Sequence, residues 1–569
     1  MASSKWNKFG GIEQFHEGLP VSDFCNVIPM GDSCIDRLGE ELVCELGDPW
    51  LPRGTFIDSA GNCYVVKEKK IYTFKRAGVG TITNPTQLKA RNGEVFETLN
   101  PNSICTFCES STKPSQVYMC DGKYIYWWNI GHNTTGVEWL DELTVNMLLS
   151  PNVYPKNEKY WQVGETFRGA DYMQQFYNQA DLYGQIKNGE GNYWKIVDIA
   201  DITSITWFNN RLYATQSNKN TVWATCTDPA QFFRPTGDWI SAPTSGSSNT
   251  GIPVFANPLF HGNDADTTDP NNDVQVSSAL WVYWVSSTNG ADRLNQAIAC
   301  NGTMYFMNAK SIEAWVPSPD EYAPITPASI QTLGVGGRNA IVAMNRLVFI
   351  GENQTGSNFV GAIQDGALKI LSTEELNHRI DFQRNPILYI LRQRDDMFIG
   401  VNCYNNAKAN NEWYMVDMER EMWWRWETDR HTEDFAIGTL SDEIGFTSNG
   451  NVMMFTDAKR TQIDGRPIVR SIRGAFSNFD GRKILRKVTA IMDTGKRLSG
   501  NSDDLVYCRV SFDRAHSFGG HYHRRLGENN HNDKMIEWRN LGSGNSIVIE
   551  IGTGADYKFQ LYQIIIEIA

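Results

Sequence analysis

The feature that most limits what this chain can fold into is a short unit that keeps returning. The stretch SITWFNNRLYATQSNKNTVWAT, Ser204–Thr225, alternates apolar and polar residues, breaks at Asn209-Asn210, alternates again, breaks, and resumes at Val222-Trp223. Period-two alternation around Asn-rich breaks reads as strand, turn, strand, turn, strand. The unit recurs at Ala297–Pro317, at Ala340–Ile363 and, with an acidic turn, at Glu412–Thr428. Asn62–Arg76 and Val117–Ile130 are further hairpins, the second joined at Asp121-Gly122. The spacing is uneven, roughly 40–90 residues, so the repeat is irregular.

A meander with one wet and one dry face cannot bury the dry face alone. Stacking meanders in a ring buries it and leaves only short edges. The expected fold is therefore mainly β: an irregular β-propeller of antiparallel blades, with stacked sandwiches as the competing architecture. Composition agrees, since aromatics are 12% of the 569 residues and charged residues only 21%.

The expected divisions are an N-terminal arm at 1–45, first blades at 46–130, a partly helical insertion at 131–199, the remaining blades at 200–479, and a C-terminal β domain or closing blade at 480–569. Within the insertion, residues 137–149 place Trp139, Leu140, Leu143, Met147 and Leu148 near one helical face. A second helix is expected in ADYMQQFYNQADLYGQI. Residues 236–275 form a long polar loop, a length usually functional or mobile.

Net charge is −13. That argues against a sequence-reading nucleic-acid binder, which needs a basic footprint, while an acidic wall repels phosphate. The 11 cysteines form no disulfide framework. Cys105 and Cys108 make a single CxxC without a second, so they read as two ordinary thiols. The N-terminal stretch has no apolar signal region, no run reaches ~18 apolar residues, and the sequons at Asn133, Asn301 and Asn353 read as incidental.

Candidate chemistry is sparse. His516, His521, His523 and His531 concentrate four of the 9 histidines. His521 and His523 would share a strand face and could grip a metal, but no further ligand spacing completes a site, so a polar loop is the expectation. SFDRAHSF, Ser511–Phe518, resembles the Asp-box hairpin of sialidase-type propellers, with Ala515 at the glycine position and Phe518 at the tryptophan position. In that motif the Asp caps turn amides and the aromatic packs the hairpin. Paired carboxylates occur at Glu374-Glu375, Asp395-Asp396 and Asp503-Asp504, each expected to be a solvated turn. GVGGR, Gly334–Arg338, lacks the residues of a phosphate loop and reads as a turn. No catalytic, cofactor-binding or metal residue is expected, and the chain is expected not to be an enzyme.

Three segments, in order, resemble the packaged-DNA stabilisation proteins of short-tailed bacteriophages, also called tail hub or nozzle proteins. They are DFCNVIPM through ELGDPW (Asp23–Trp50); ITWFNNRLYATQ through NTVWATCTDPAQFF (Ile205–Phe233), continued by IACNGTMYFMNAKSIEAWVP and NAIVAMNRLVFIGEN; and the C-terminal run VTAIMDTG, LVYCRVSFDRAHSF, HRRLG, IEWRNLG and LYQIIIEI. GDP replaces the family's usual Pro-Gly in the first, and residues 131–199 have no counterpart. The resemblance implies a structural virion protein, a homohexameric ring below the portal and adaptor that extends the tail channel, passes double-stranded DNA and helps retain it until ejection. It implies assembly in the host cytoplasm. Any gate is expected in 131–199 or 236–275, since moving parts are drawn from low-stability segments. The alternative is a glycan-binding or glycoside-hydrolysing propeller.

Overall fold

A computed structural model describes residues 23–46, 52–130, 202–225, 281–427 and 444–569 apart from short gaps, together with Ala2–Trp6, Phe15–His16, Leu19–Pro20 and Thr144–Leu148. The chain is mainly β, and its propeller consists of antiparallel meanders that follow one another along the sequence. The first blade carries Pro52–Ile57, Asn62–Lys67 and Lys70–Gly78; the second Thr106–Glu109, Gln116–Cys120, Ile125–Asn129 and Thr144–Leu148. The third carries Ile202–Phe208, Arg211–Gln216, Thr221–Thr225 and Trp281–Ser286. The fourth spans Leu294–Cys300 to Ile325–Gln331, the fifth Gly334–Ala343 to Ala367–Ile370, and the sixth Leu388–Gln393 to Trp423–Trp426. Their hairpins are set by two-residue turns with left-handed backbone. Asn209 and Asn210 (φ 47° and 58°) join Phe208 to Arg211, and Asn301-Gly302 (φ 49° and 72°) joins Cys300 to Thr303. Asn and Gly tolerate that region, and its twist matches the flanking strands.

Cores between successive blades show how the ring closes. Tyr64 and Val66 of the first blade pack on Val117, Met119 and Trp128 of the second. Tyr118 and Cys120, pointing the other way from the same strand, pack on Leu212 and Trp223 of the third. Phe208 and Val222 meet Met304 and Phe306, then Tyr305 and Met307 meet Leu347 and Phe349. Val348 and Ile350 share a core with Phe398 and Val416, which continues to Phe455, whose ring lies 5.3 Å from Trp426. Finally Val452 and Met454 pack on Cys63, Val65 and Phe74 of the first blade. The ring has seven sheets among the described residues. Both faces of the inner strands are therefore dry, a correction to the wet-and-dry reading: every residue of Gln116–Cys120 is buried, whereas the outer strand Ile325–Gln331 is largely exposed. Alternation on the inner strands separates two cores rather than core from solvent.

The closing blade draws on both ends of the propeller sequence. Ile444–Phe446 and Val452–Thr456 are completed by Gly39–Cys44, which pairs antiparallel with Val452–Thr456. Residues 23–44 are thus strands of the body, not an arm. They show no periodicity of their own because Asp23–Cys25, Cys34–Asp36 and Gly39–Cys44 complete edges made elsewhere. Residues 480–569 do not close the ring. They extend the sheet of the sixth blade, joined to it through Asp23–Cys25, and within this extension Arg470–Asp493 pairs with Lys534–Thr553 from Arg470↔Thr553 to Met492↔Lys534. Gln560–Ile568, Leu505–Ser511 and Tyr522–Arg525 extend it, and Ala2–Trp6 pairs with Ile564–Ile568.

Two local expectations change. Thr144–Leu148 is a strand pairing with Ile125–Trp127, not part of a helix; a neighbour's free edge outweighs helical spacing in so short a run. The second expected helix and residues 236–275 lie outside the described residues. GVGGR is not a turn but the start of a strand whose pairing shifts between Val335 and Ala340. A Cβ at Gly334 would stand 2.3 Å from the Ala309 carbonyl oxygen, so that close approach requires glycine.

Candidate functional site: a charged joint between ring and C-terminal sheet

The strand Asp23–Cys25 lies between the sixth blade and the C-terminal sheet. It pairs in parallel with Arg425 on one side and antiparallel with Ser471–Arg473 on the other. Directly opposed residues in a sheet share a face, and here they form a row of alternating charge. Arg425 Nη1 and Nη2 reach Glu427 at 2.5 Å and Asp23 at 2.8 Å. Asp23 is in register with Arg473, Arg473 with Glu550, and Glu550 with Arg509. Glu550 accepts from Arg473 Nη2 and Arg509 Nη2, each at 2.7 Å, and from Tyr507 Oη at 3.2 Å. Asp23 and Glu550 are almost fully buried, and the facing arginines give these buried carboxylates ion-pair partners. Burial, reinforced by Glu550, pushes the Tyr507 phenol well above its ordinary value. Its ring covers Gly552, where a Cβ would stand 2.4 Å from Tyr507 Oη.

Asn26 pins the same junction. With φ 56°, its Nδ2 donates to the carbonyls of Glu427 and Val469, each at 2.8 Å, while its Oδ1 accepts from Arg37 Nε at 2.8 Å and Glu427 N at 3.0 Å. One side chain thereby ties three chain segments together.

A second knot surrounds Asp36. It binds Arg460 Nε and takes Arg470 Nη1 at 3.3 Å and Arg394 Nη2 at 3.5 Å. Arg37, Arg460 and Arg470 are fully buried. Arg37 pairs with Glu40 at 3.1 Å and lies over Trp426, 4.1 Å from the ring centroid. Burial pulls the Arg470 guanidinium down to about 10, against the opposing pull of Asp36, and it stays protonated at neutral pH. None of these residues carried a sequence signal, because their partners lie up to 434 positions away.

The residues singled out in the sequence are dispersed. Asp513 caps its turn as the Asp-box likeness expects: Oδ1 accepts from Ser517 N at 2.9 Å, and Ser511 Oγ donates to the same oxygen at 2.6 Å. Phe518 stacks under Arg473 and Arg509, at 4.9 and 4.7 Å. His521 and His523 share a face beside Tyr507, with ring centroids 5.9 Å apart; His516 lies on the Asp513 turn, and His531 falls outside the described residues. Cys105 packs between the first and second blades and Cys108 against the core of the second and third, so the CxxC thiols diverge. Burial pushes the Cys108 thiol far up. Glu374 begins a single helical turn, Asp396 pairs with Arg420 at 2.9 Å, and Asp395, Asp503 and Asp504 fall outside the described residues. Glu313 of the SIEAW segment is buried and accepts from Ser287 Oγ and Trp315 Nε1.

Between the closing and first blades a cavity of about 550 Å³ is lined by Glu41, Cys44, Thr83, Asn84, Thr456 and Asp457 among others. Asp457 is held by Arg460 Nη2 at 2.6 Å and also pairs with Lys558.

No family model matches the chain and no curated protein matches it. It is similar to a catalytically inactive virginiamycin B lyase from Staphylococcus aureus at 10% identity, covering 74% of this chain and 99% of that one, with a TM-score of 0.37. A streptogramin B lyase is similar at 13% identity, over 64% and 94% of the two chains, with a TM-score of 0.26. A glycoside hydrolase is similar at 9% identity, over 92% and 99%, with a TM-score of 0.22. None of these assigns a role to any residue here. They do correct the expectation that the chain is not an enzyme. Proteins similar to it include lyases and a glycoside hydrolase, and a lack of linear motifs is not by itself evidence against catalysis. In a ring of blades, reactive groups converge from separate loops, and no local spacing records that convergence.

Proposed function

We propose that the chain is a wall subunit of the tail conduit of a short-tailed bacteriophage, assembling with copies of itself below the portal and adaptor and helping to retain packaged DNA. The observation that supports this best is where the resembling segments lie. Asp23 and Asn26 of DFCNVIPM pin the ring to the C-terminal sheet. Arg211, Leu212, Val222, Trp223 and Ala224 are buried within the third blade, and Glu313 within the fourth. LVYCRVSFDRAHSF contributes Arg509 to the charged row. Each segment is thus a framework element. A conduit wall needs such a framework, because load on one part must reach the next without a soft linker. The test is propagation of a phage lacking this chain: particles fill with DNA and then lose it. Particles that stay full without it would overturn the reading.

A second reading, a saccharide-binding or saccharide-cleaving propeller, is favoured by the cleft between the closing and first blades. Glu41, Asp457, Thr83 and Asn84 offer carboxylate, hydroxyl and amide groups suited to sugar hydroxyls. Its test is binding and hydrolysis of capsular or lipopolysaccharide glycans by the purified chain, with Glu41→Gln expected to abolish both. Glycan binding unchanged by that substitution would remove the cleft from consideration.

A further inference from the structure

The chain's acidity is unevenly distributed. Residues 470–569 carry 15 Lys+Arg against 11 Asp+Glu, whereas the whole chain carries 52 against 65. Within the C-terminal unit, no acid occurs between Arg514 and Gly527, a stretch that holds three arginines and three histidines. The structure gathers these on the outer strand of the C-terminal sheet and its adjoining turn. Arg514, His516, His521, His523, Arg524 and Arg525 are all exposed. Tyr522–Arg525 pairs with Leu505–Cys508 and ends the path of strands across the sheet.

Among the described residues, Asp513, Glu537 and Glu550 are already engaged. Asp513 is tied to Ser511 and Ser517, Glu550 to Arg473 and Arg509, and Glu537 to Arg539 at 2.8 Å and Lys487 at 3.5 Å. Aromatic surface is interleaved with the cations, since Tyr522 is 41% exposed and Phe518 underlies two arginines. At physiological salt, fields decay over about 8 Å. A ligand on this strand therefore experiences the local positive charge more than the distant negative body.

We propose that this face, Arg514 to Arg525, is a contact surface for the phosphate backbone of nucleic acid, binding without regard to sequence. Arginine forks suit phosphate oxygens, and the aromatics add stacking surface for unpaired bases. The surface is read from charge and exposure alone, so it stands or falls separately from the conduit reading, which the particle experiment decides.

The test is fluorescence anisotropy of the full chain with two unrelated labelled duplexes and one single strand, between about 50 and about 200 mM salt. Equal affinity for both duplexes is expected, with log affinity falling linearly against log salt by about 0.9 per phosphate neutralised. Arg514→Asn with Arg525→Gln should flatten that slope by about two and weaken binding at least tenfold at the lowest salt. Arg514→Lys with Arg525→Lys keeps both charges and should bind like the parent, which separates lost charge from lost fold. Absence of binding at about 50 mM salt, unchanged binding by the Asn/Gln pair, or loss in the Lys pair would each overturn the proposal. Salt-labile self-association in sedimentation, without oligonucleotide binding, would overturn it too and assign the face to a second copy of the chain.

Discussion

Asp23 and Arg425 stand 402 residues apart in the chain and 2.8 Å apart in the fold. Asp23 is 2% exposed. Removing one partner of a buried pair leaves the other uncompensated, which typically costs about 3–5 kcal/mol. Asp23→Ala should therefore lower the unfolding free energy read from urea denaturation by that order. A matched Asp23→Ala/Arg425→Ala pair should cost less than the sum of the single changes. Additive costs would mean that the pair is not a working contact.

The sixth blade also depends on a flat place beneath an aromatic ring. Tyr389 lies in register with Gly400, and a Cβ there would stand 1.9 Å from Tyr389 Cζ. Tyr389 is buried, edge-to-face with Trp413 at 5.0 Å, so it has little room to retreat. Gly400→Ala should cost about 1–3 kcal/mol as an overpacking change. Thermal unfolding would show it, and an unchanged midpoint would mean that the ring moves freely.

Asp513 offers a pH test. Hydrogen bonds from Ser511 and Ser517 hold its carboxyl down at about 2. A folded value depressed below the ordinary one of about 3.9 contributes stability that is present above pH about 4 and lost as pH falls toward 2. Amide protection at Ser517, corrected for the intrinsic exchange rate, should therefore hold at pH 5 and fall between about pH 4 and 2. Asp513→Asn should abolish that dependence, and if exchange keeps it, another group is responsible.

Ring closure is testable at Phe455, which is buried in the closing blade against Trp426. Phe455→Ala should cost about 3–5 kcal/mol through the cavity it leaves. Proteolysis should then cut first near the Gly39–Cys44 strand, whose pairing depends on that blade. Cutting elsewhere first would show that closure is not the weak point.

What the sequence determined by itself was local. Asn209-Asn210 and Asn301-Gly302 specify hairpins because few residues accept left-handed backbone, and alternation on either side specifies strands. That suffices for meanders; whether they stack as a ring or as sandwiches was left to the tertiary structure. The Asp513 turn was legible for the same reason, since its partners lie within four residues. The tertiary structure alone decided the rest. Gly39–Cys44 takes its place in the closing blade only because Val452–Thr456 offers an edge. Asp36 acquires meaning only when Arg460 and Arg470 arrive from more than 420 residues away. Such contacts leave no spacing in the sequence, because a buried charge is stabilised by whatever lies nearest in space, not by what is nearest along the chain.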